Sequence, residues 1–427
     1  MRPVVRLCQW LFGAVFIFSG LVKCIDPVGT AVKMGDYLRA MSLSVPDEFL
    51  PPAAWTACVG ELMTGIFIFF GWKRKPVWWI SLGVMLVFTG LTLWLALTDA
   101  VSDCGCFGDA VKLSNQATFW KNVGLLILLG ILGSGLHHMW SPANGKLEII
   151  MPLWALLTGL VLCWAGTFRL PVIDFRPYRP GVNIEQAMGV SADTEWEEIY
   201  NVIYEKDGRK VEFSLDSLPD EADGWEFVDQ AVHRIPKNRP GSSDAAYHVE
   251  EPAIRDFFVL NGAGEDITQD FLRDTLYKFV ILSPNTDQMD ADDASALQVL
   301  YEYAVRENYG FTCMTLRDEE RLQRWAARAH PRYPFVYSDA TIIETMGRAN
   351  PTVMLLKNGT ILWKKALPDV DLKQLSNAKL SEQSYGKIEI IDRKMRFFVL
   401  IILLFAPFIL YLLIKTGTFV STNITKT

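Results

Sequence analysis

Six stretches of this chain, residues 4–22, 53–72, 77–97, 117–136, 149–167 and 397–414, are uncharged or nearly so. Each is long enough to cross the roughly 30 Å hydrocarbon core of a bilayer as a helix. Lipid offers no hydrogen bonds to a bare backbone, so runs of this length leave helices as the natural solution. The chain reads as a membrane helical bundle of six spans with one large soluble segment, residues 169–396. Arg2 and Arg6 ahead of an apolar run imitate a secretory signal. No small-x-small cleavage site follows, because Phe18-Ser19-Gly20-Leu21-Val22-Lys23 leads straight into Cys24-Ile25-Asp26-Pro27, so the first run reads as a retained helix.

Basic residues in short loops stay on the cytoplasmic side. Lys73-Arg74-Lys75 is the strongest such cluster, and with Arg2, Arg6 and Lys146 it sets the N-terminus inside. Residues 23–52, 98–116 and 169–396 then lie outside, and the sixth span returns the C-terminus to the cytoplasm. Arg393, Lys394 and Arg396 oppose this from the outer side of the last span. Long translocated segments largely escape the charge rule, which removes the conflict. The expected location is an inner (cytoplasmic) membrane, with the soluble segment in the periplasm or exterior.

The second exterior loop carries Asp103-Cys104-Gly105-Cys106-Phe107-Gly108-Asp109. Two thiols one residue apart, with a glycine between them free to adopt unusual dihedrals, can close a small, strained and easily reduced disulfide. Asp103 and Asp109 oppose a thiolate by like-charge repulsion, which favours an electron-accepting disulfide over a nucleophilic thiol. The competing reading pairs Cys104 or Cys106 with Cys24, at the outer end of the first span, as a structural clamp. A metal site is disfavoured, since two cysteines without a nearby exterior histidine leave a zinc shell incomplete. Glu61, deep in the second span, is costly there and therefore a functional candidate for proton transfer. Against it stands helix packing beside Gly60, Thr64 and Gly65. Lys23 and Asp26 at the lip of the first span suit a snorkelling anchor and an ion pair, and a Lys23–Glu61 contact is within reach.

The soluble segment opens with a proline-rich linker, residues 170–181. Strand patterns at 197–204 and 210–215 flank Asp207-Gly208, a hairpin signal, and 225–228 suggests a third strand. Residues 170–251 thus read as linker and β-rich insert, loose over 236–243. From residue 252 strands and helices alternate, as in an α/β layer fold. Strands are expected at 257–260, 278–282, 311–316, 334–338, 350–356 and 360–364. A helix stripe runs through Leu297, Leu300, Tyr301, Ala304 and Val305. Cys313, alone in the soluble half and mid-strand, reads as a buried structural residue.

That order, with Ile254–Leu260 as an entry strand and Asn350-Pro351-Thr352 before two strands joined by Lys357-Asn358-Gly359, resembles thioredoxin-like domains of the TlpA and peroxiredoxin-related kind over residues 252–377. The resemblance implies a cis peptide at Pro351. Active members carry Cys-x-x-Cys after the strand equivalent to 279–282, where this chain has Ser283-Pro284-Asn285-Thr286, so the domain is expected to be redox-inactive. In the membrane half, Phe18–Pro27 and Gly60-Glu61-Leu62 with Gly65 resemble the four-helix DoxX-like proteins over residues 1–140. Within that group Cys104-Gly105-Cys106-Phe107-Gly108 resembles the methylamine utilisation protein MauE. That branch implies disulfide formation during maturation of a periplasmic dehydrogenase. More distantly, it implies quinone-coupled thiol oxidases of the DsbB and vitamin K epoxide reductase type.

The resulting expectation is a thiol–disulfide module: four helices (1–140), a fifth span (147–168), the insert, the thioredoxin-like domain and a sixth span (397–414). Cys104 and Cys106 form the redox pair, Glu61 assists the proton, a membrane quinone is the acceptor, and a periplasmic or envelope protein is the partner. The alternative is a non-catalytic membrane scaffold using a redox-dead thioredoxin fold. A net charge of −7 and no basic stripe in the soluble half argue against nucleic-acid binding. Tryptophans near span ends fit interfacial anchoring to the lipid bilayer.

Overall fold

The computed structural model describes residues 1–98, 100–101, 105–142, 145–189, 196–206, 209–214, 225–236, 252–254 and 257–424. Cys104 and the Asp207-Gly208 turn lie outside the described residues. The chain divides into two compact units: Met1–Val182 with Phe258–Thr427, and Asn183–Phe257.

The first unit begins with six helices: α1 (Arg2–Ile25), α2 (Pro27–Ala40), α3 (Leu50–Phe70), α4 (Arg74–Thr98), α5 (Asn115–Ser134) and α6 (Gly145–Phe168). All but α2 are long and apolar enough to span a membrane. The short α2 occupies what the apolar pattern left as an exterior loop. It starts at Asp26, whose carboxylate accepts from the Gly29 N–H at 3.0 Å, followed by Pro27 at the first helical position.

Glycine lets α1 and α3 meet almost backbone to backbone. A Cβ at Gly65 would fall 2.6 Å from the Ile17 nitrogen, and one at Gly20 would collide with the Leu62 backbone. Gly60, expected to share in this packing, has nothing within 4 Å of its Cβ position. At the far end of the pair Gln9 ties the helices together. Its amide donates to the carbonyls of Ile68 (3.0 Å), Phe69 (3.0 Å) and Trp140 (2.8 Å) and accepts from Trp140 N–H (2.8 Å).

The second unit contains α7 (Ile184–Ala187), β1 (Trp196–Lys206), β2 (Arg209–Ser214) and β3 (Glu226–Pro236). Its antiparallel sheet has the order β2-β1-β3. The third strand, expected to be four residues, runs for eleven and pairs with β1 through Pro236.

The first unit resumes with α8 (Thr268–Arg273), β4 (Tyr277–Ser283), α9 (Ala291–Arg306), β5 (Gly310–Thr315), α10 (Glu319–Ala329), β6 (Phe335–Tyr337), α11 (Ala340–Met346), β7 (Thr352–Lys357), β8 (Thr360–Ala366) and α12 (Leu372–Ser376). The five-stranded sheet has the order β6-β5-β4-β7-β8. Strands β4, β5 and β6 are parallel, and β7 and β8 antiparallel to their neighbours. Burial of β4, β5 and β7 explains their continuous apolar runs. The expected entry strand is reduced to a bridge, Leu260 exchanging hydrogen bonds with Tyr337; residues 255–256 are outside the described set. On α9 the stripe is turned: Leu297, Leu300 and Ala304 are buried, but Val305 faces out and Tyr303 turns in, its hydroxyl donating to the Ala378 carbonyl at 2.8 Å. Cys313 is fully buried, and burial pushes its thiol up to about 12.

The proline-rich stretch is packed into this unit. Ile173, Arg176 and Tyr178 are buried, Gly181 N–H donates to the Ile361 carbonyl (2.7 Å), and Ile361 N–H donates to Val182 (2.9 Å).

The expected single last span is two helices, α13 (Arg393–Leu404) and α14 (Ala406–Ile424), bent by 62°. Pro407 has no N–H for the Leu403 carbonyl one turn back. The Trp154 indole on α6 donates to that carbonyl instead, at 2.8 Å. Replacing Gly65 with Ile should therefore force α1 and α3 apart and cost about 1–3 kcal/mol or more, whereas Gly60→Ala should be tolerated. Thermal unfolding in detergent micelles checks both.

Candidate functional site

The cysteine loop between α4 and α5 is held against the bundle by backbone and ring contacts. Gly105 and Gly108 both have left-handed backbones (φ 59° and 52°), and Gly108 N–H closes a turn onto the Gly105 carbonyl at 2.9 Å. The Ser19 hydroxyl on α1 donates to the Cys106 carbonyl at 2.6 Å. Phe107 meets the Phe18 ring edge-on with centroids 5.5 Å apart, and Lys121 of α5 lies over Phe107 at 4.4 Å. Cys106 is thereby fixed in a turn between α1 and α5.

Below the turn lies a small, partly open pocket lined by residues of α1, α3, α4 and α5 together with Cys106 and Phe107. Its polar feature is an ion pair: Lys23 Nζ is 2.6 Å from Glu61 Oε2, with side-chain exposures of 10% and 8%. Lys23 also sits 5.5 Å from the Phe88 ring centroid. A carboxylate in this low-dielectric setting is held by the ammonium beside it. The rest of the lining, Phe16, Met85, Phe88, Phe107 and Leu125, is apolar, with Ser19, Lys121 and Asn122 adding hydrogen-bond donors. The structure thus brings Cys106, Lys23 and Glu61 to one cavity.

The other sequence candidates point elsewhere. Cys24 is fully buried in the same apolar cluster as Cys163 of α6, and among the described residues it makes no disulfide. Asp26 turns away from Lys23 towards Arg348, which donates to it through Nε (3.0 Å) and Nη2 (2.9 Å). Both side chains are nearly buried, at 12% and 6% exposure. Arg348 Nη2 also lies 3.8 Å from Asp109, three residues after Cys106. A second buried cluster adjoins it. Asp174 pairs with Arg176 at 2.9 Å and with Lys364, while Arg176 donates to the carbonyls of Glu344 (3.1 Å) and Thr345 (2.7 Å).

Burial alone would raise the carboxyls of Asp26 and Asp174. Arg348 beside Asp26, and Lys364 and Arg176 beside Asp174, hold both below the ordinary carboxylate range. Asp109 moves the other way, raised by burial and by the negative charge of Asp26. Burial lowers the Lys364 ammonium to about 8 against the pull of Asp174.

The Asn350–Pro351 peptide is cis. Asn350 is tied to residues 283–288, the segment that follows β4. Its Oδ1 accepts from the Ser283 hydroxyl (2.7 Å), and its amide donates to the Asn285 carbonyl (2.7 Å) and to Gln288 Oε1 (3.1 Å). The sequence reading missed Arg348, Arg176 and Lys364. The available signal was a lysine inside an otherwise buried strand and an arginine just ahead of the Asn-Pro turn.

A family model described as methylamine utilisation protein MauE matches residues 1–135, and one described as a domain of unknown function (DUF8463) matches residues 199–233. No curated protein and no solved structure matches the chain. The membrane part is therefore MauE-like, and the chain is a multi-pass membrane protein.

The two aspartates flanking Arg348 should respond oppositely to substitution. The folded carboxyl of Asp26 lies below its unfolded value, so its contribution is present above the unfolded pKa and is lost as pH falls through the folded one. Asp109 has the reverse sign: its ionisation opposes folding near neutrality, and that penalty fades as pH falls through its raised value. Asp26→Asn strands a buried guanidinium and should cost about 3 kcal/mol. Asp109→Asn should be neutral or stabilising at pH 7. Melting curves of both variants at pH 7 and 5 decide the signs.

Proposed function

We propose that this membrane protein is a thiol–disulfide redox module acting on proteins of the cell envelope. The observation that carries the reading is the shared cavity of Cys106, Lys23 and Glu61. In this scheme a partner thiolate attacks the Cys104–Cys106 disulfide and forms a mixed disulfide. The partner's second thiolate then displaces it, leaving the partner oxidised and Cys104 and Cys106 as thiols. In this scheme Glu61, paired with Lys23, takes up and returns the protons that accompany each change of state. The left-handed backbone at Gly105 supports a ring between its two neighbours.

A membrane quinone would be the two-electron acceptor for such thiols, with Lys23, Lys121 and Asn122 as donors to its carbonyl oxygens, but the pocket as it stands has room for little more than a water molecule and would have to open to admit a ring. The MauE match over residues 1–135 covers the spans and the cysteine loop on which this reading rests. The basic Lys73-Arg74-Lys75 turn supports an inner-membrane orientation with both termini cytoplasmic and the cysteine loop in the periplasm. The order of the five-stranded sheet and the cis Pro351 support a thioredoxin-like reading of residues 252–377, and the Ser283–Asn350 bond supports its redox inactivity.

One observation favours a second reading, a non-catalytic scaffold: the soluble sheet carries a single, buried cysteine and is tied to the bundle through Arg348. Replacing both Cys104 and Cys106 with Ser separates the two. The redox reading expects partner proteins to accumulate as free thiols, and unchanged partner thiol states in a folded variant would contradict it. Glu61→Gln should slow disulfide turnover about 100-fold, as read by quenched maleimide labelling.

A further inference from the structure

Two parts of the chain hold the cysteine loop. Its first half is gripped by the bundle: Ser19 donates to the Cys106 carbonyl, Phe18 and Lys121 meet the Phe107 ring, and a Cβ at Gly105 would stand 3.2 Å from the Lys33 side chain of α2. Its second half is the single turn Gly108–Ala110, and Arg348, which reaches Asp109 there, belongs to the soluble segment. Arg348 lies between α11 and the cis Asn350–Pro351 peptide, and its Nη1 donates to the Glu344 carbonyl one turn back at 3.0 Å. A Cβ at Gly29 would stand 2.9 Å from Nη2, so the first turn of α2 leaves a glycine-sized space for the guanidinium.

The cation is shared. Nη2 lies 2.9 Å from an oxygen of Asp26 and 3.8 Å from one of Asp109. Two carboxylates thus converge on one nitrogen, and Asp26 has the larger share, since it also accepts from Nε at 3.0 Å. Without the guanidinium the loop's carboxylate would meet that of Asp26, and like charges at such a range repel. Burial and Asp26 already raise the Asp109 carboxyl, and Arg348 is the foremost of the cations that pull the other way. Asp109 is also the most exposed of the three side chains, at 31% against 12% for Asp26 and 6% for Arg348, so the loop is the member able to move out.

We propose that Arg348 is a positioning residue for the cysteine loop: through this one guanidinium the soluble sheet keeps the turn after Cys106 closed against the bundle, and drawing it away opens the loop to a partner thiol. The purpose of such an opening rests on the thiol–disulfide reading of the loop; the contact itself does not.

The test uses the full-length protein in open native membranes at pH 7. In a Cys104→Ser background Cys106 is the half-buried thiol and the other five are buried, so its reaction rate with a hydrophilic maleimide reports the loop. Arg348→Gln should raise that rate about fivefold, the scale of a partly buried ion pair, and Asp109→Asn should cancel the rise, a rescue that a merely structural arginine would not show. Losing a cation near the thiol would by itself raise its pKa and slow the reaction, so the sign separates loop opening from a direct effect of charge. An unchanged or slower rate in Arg348→Gln, or a rise that persists with Asp109→Asn, would overturn the proposal. Should Arg348→Gln not fold, Arg348→Lys takes its place, since one ammonium keeps Asp26 paired but lacks the fork that reaches both carboxylates. The Gly108 amide, bonded to the Gly105 carbonyl, should then exchange its hydrogen about fivefold faster, and an unchanged exchange rate would contradict the proposal equally. Labelling needs one thiol and no cycling, so a loop pair that never changes state would overturn the thiol–disulfide function and leave this result standing.

Discussion

The close approach of α1 and α3 is the constraint from which most of the membrane half follows. Gly20 and Gly65 remove the side chains that would hold these helices apart, and the gain is dispersion contact along their whole shared length. Only at that separation does Lys23, near the end of α1, reach Glu61 on α3 at 2.6 Å. The same register turns Cys24 inward and delivers Asp26 to the edge of the bundle. A charge that would otherwise be prohibitively costly in the membrane becomes half of a sheltered pair, and the pocket above it acquires its polar floor.

At the edge of the bundle the physics changes from close packing to paired charge. Asp26 caps α2 and accepts two hydrogen bonds from Arg348, which also faces Asp109 in the cysteine loop. One guanidinium therefore touches both segments that border Cys106 in sequence or space. Arg176, Asp174 and Lys364 extend the cluster into the sheet. Buried pairs of this kind contribute little net stability compared with apolar packing, but they penalise any arrangement that separates them. The soluble sheet and the cysteine loop are thus specified relative to the bundle more than they are glued to it.

The sequence made the spans legible because length and apolarity are sufficient signals for a helix in lipid. Five of the six are long, unbroken helices as expected, and a family match covers the first four with their connections. The sixth failed at Pro407, whose consequence depends on whether a neighbour can satisfy Leu403; Trp154 does, and the helix bends instead of continuing. The strands from 277 onward were readable from their apolar runs, while helix α2 was hidden because its signal is a cap and not a hydrophobic stripe. In the site, Lys23 and Glu61 could be named from their cost in the membrane. Arg348 could not, since a lone arginine 322 residues from Asp26 has no pattern until the chain has folded.

The proposed function requires the loop between α4 and α5 to cycle between thiol and disulfide. The direct measurement is a redox titration of Cys104 and Cys106 in native membranes against oxidised and reduced dithiothreitol, read by mass tagging. Cycling predicts one two-electron transition in which both thiols appear and disappear together. Cysteines that stay reduced, or stay bridged to a third residue, across the whole range would contradict it.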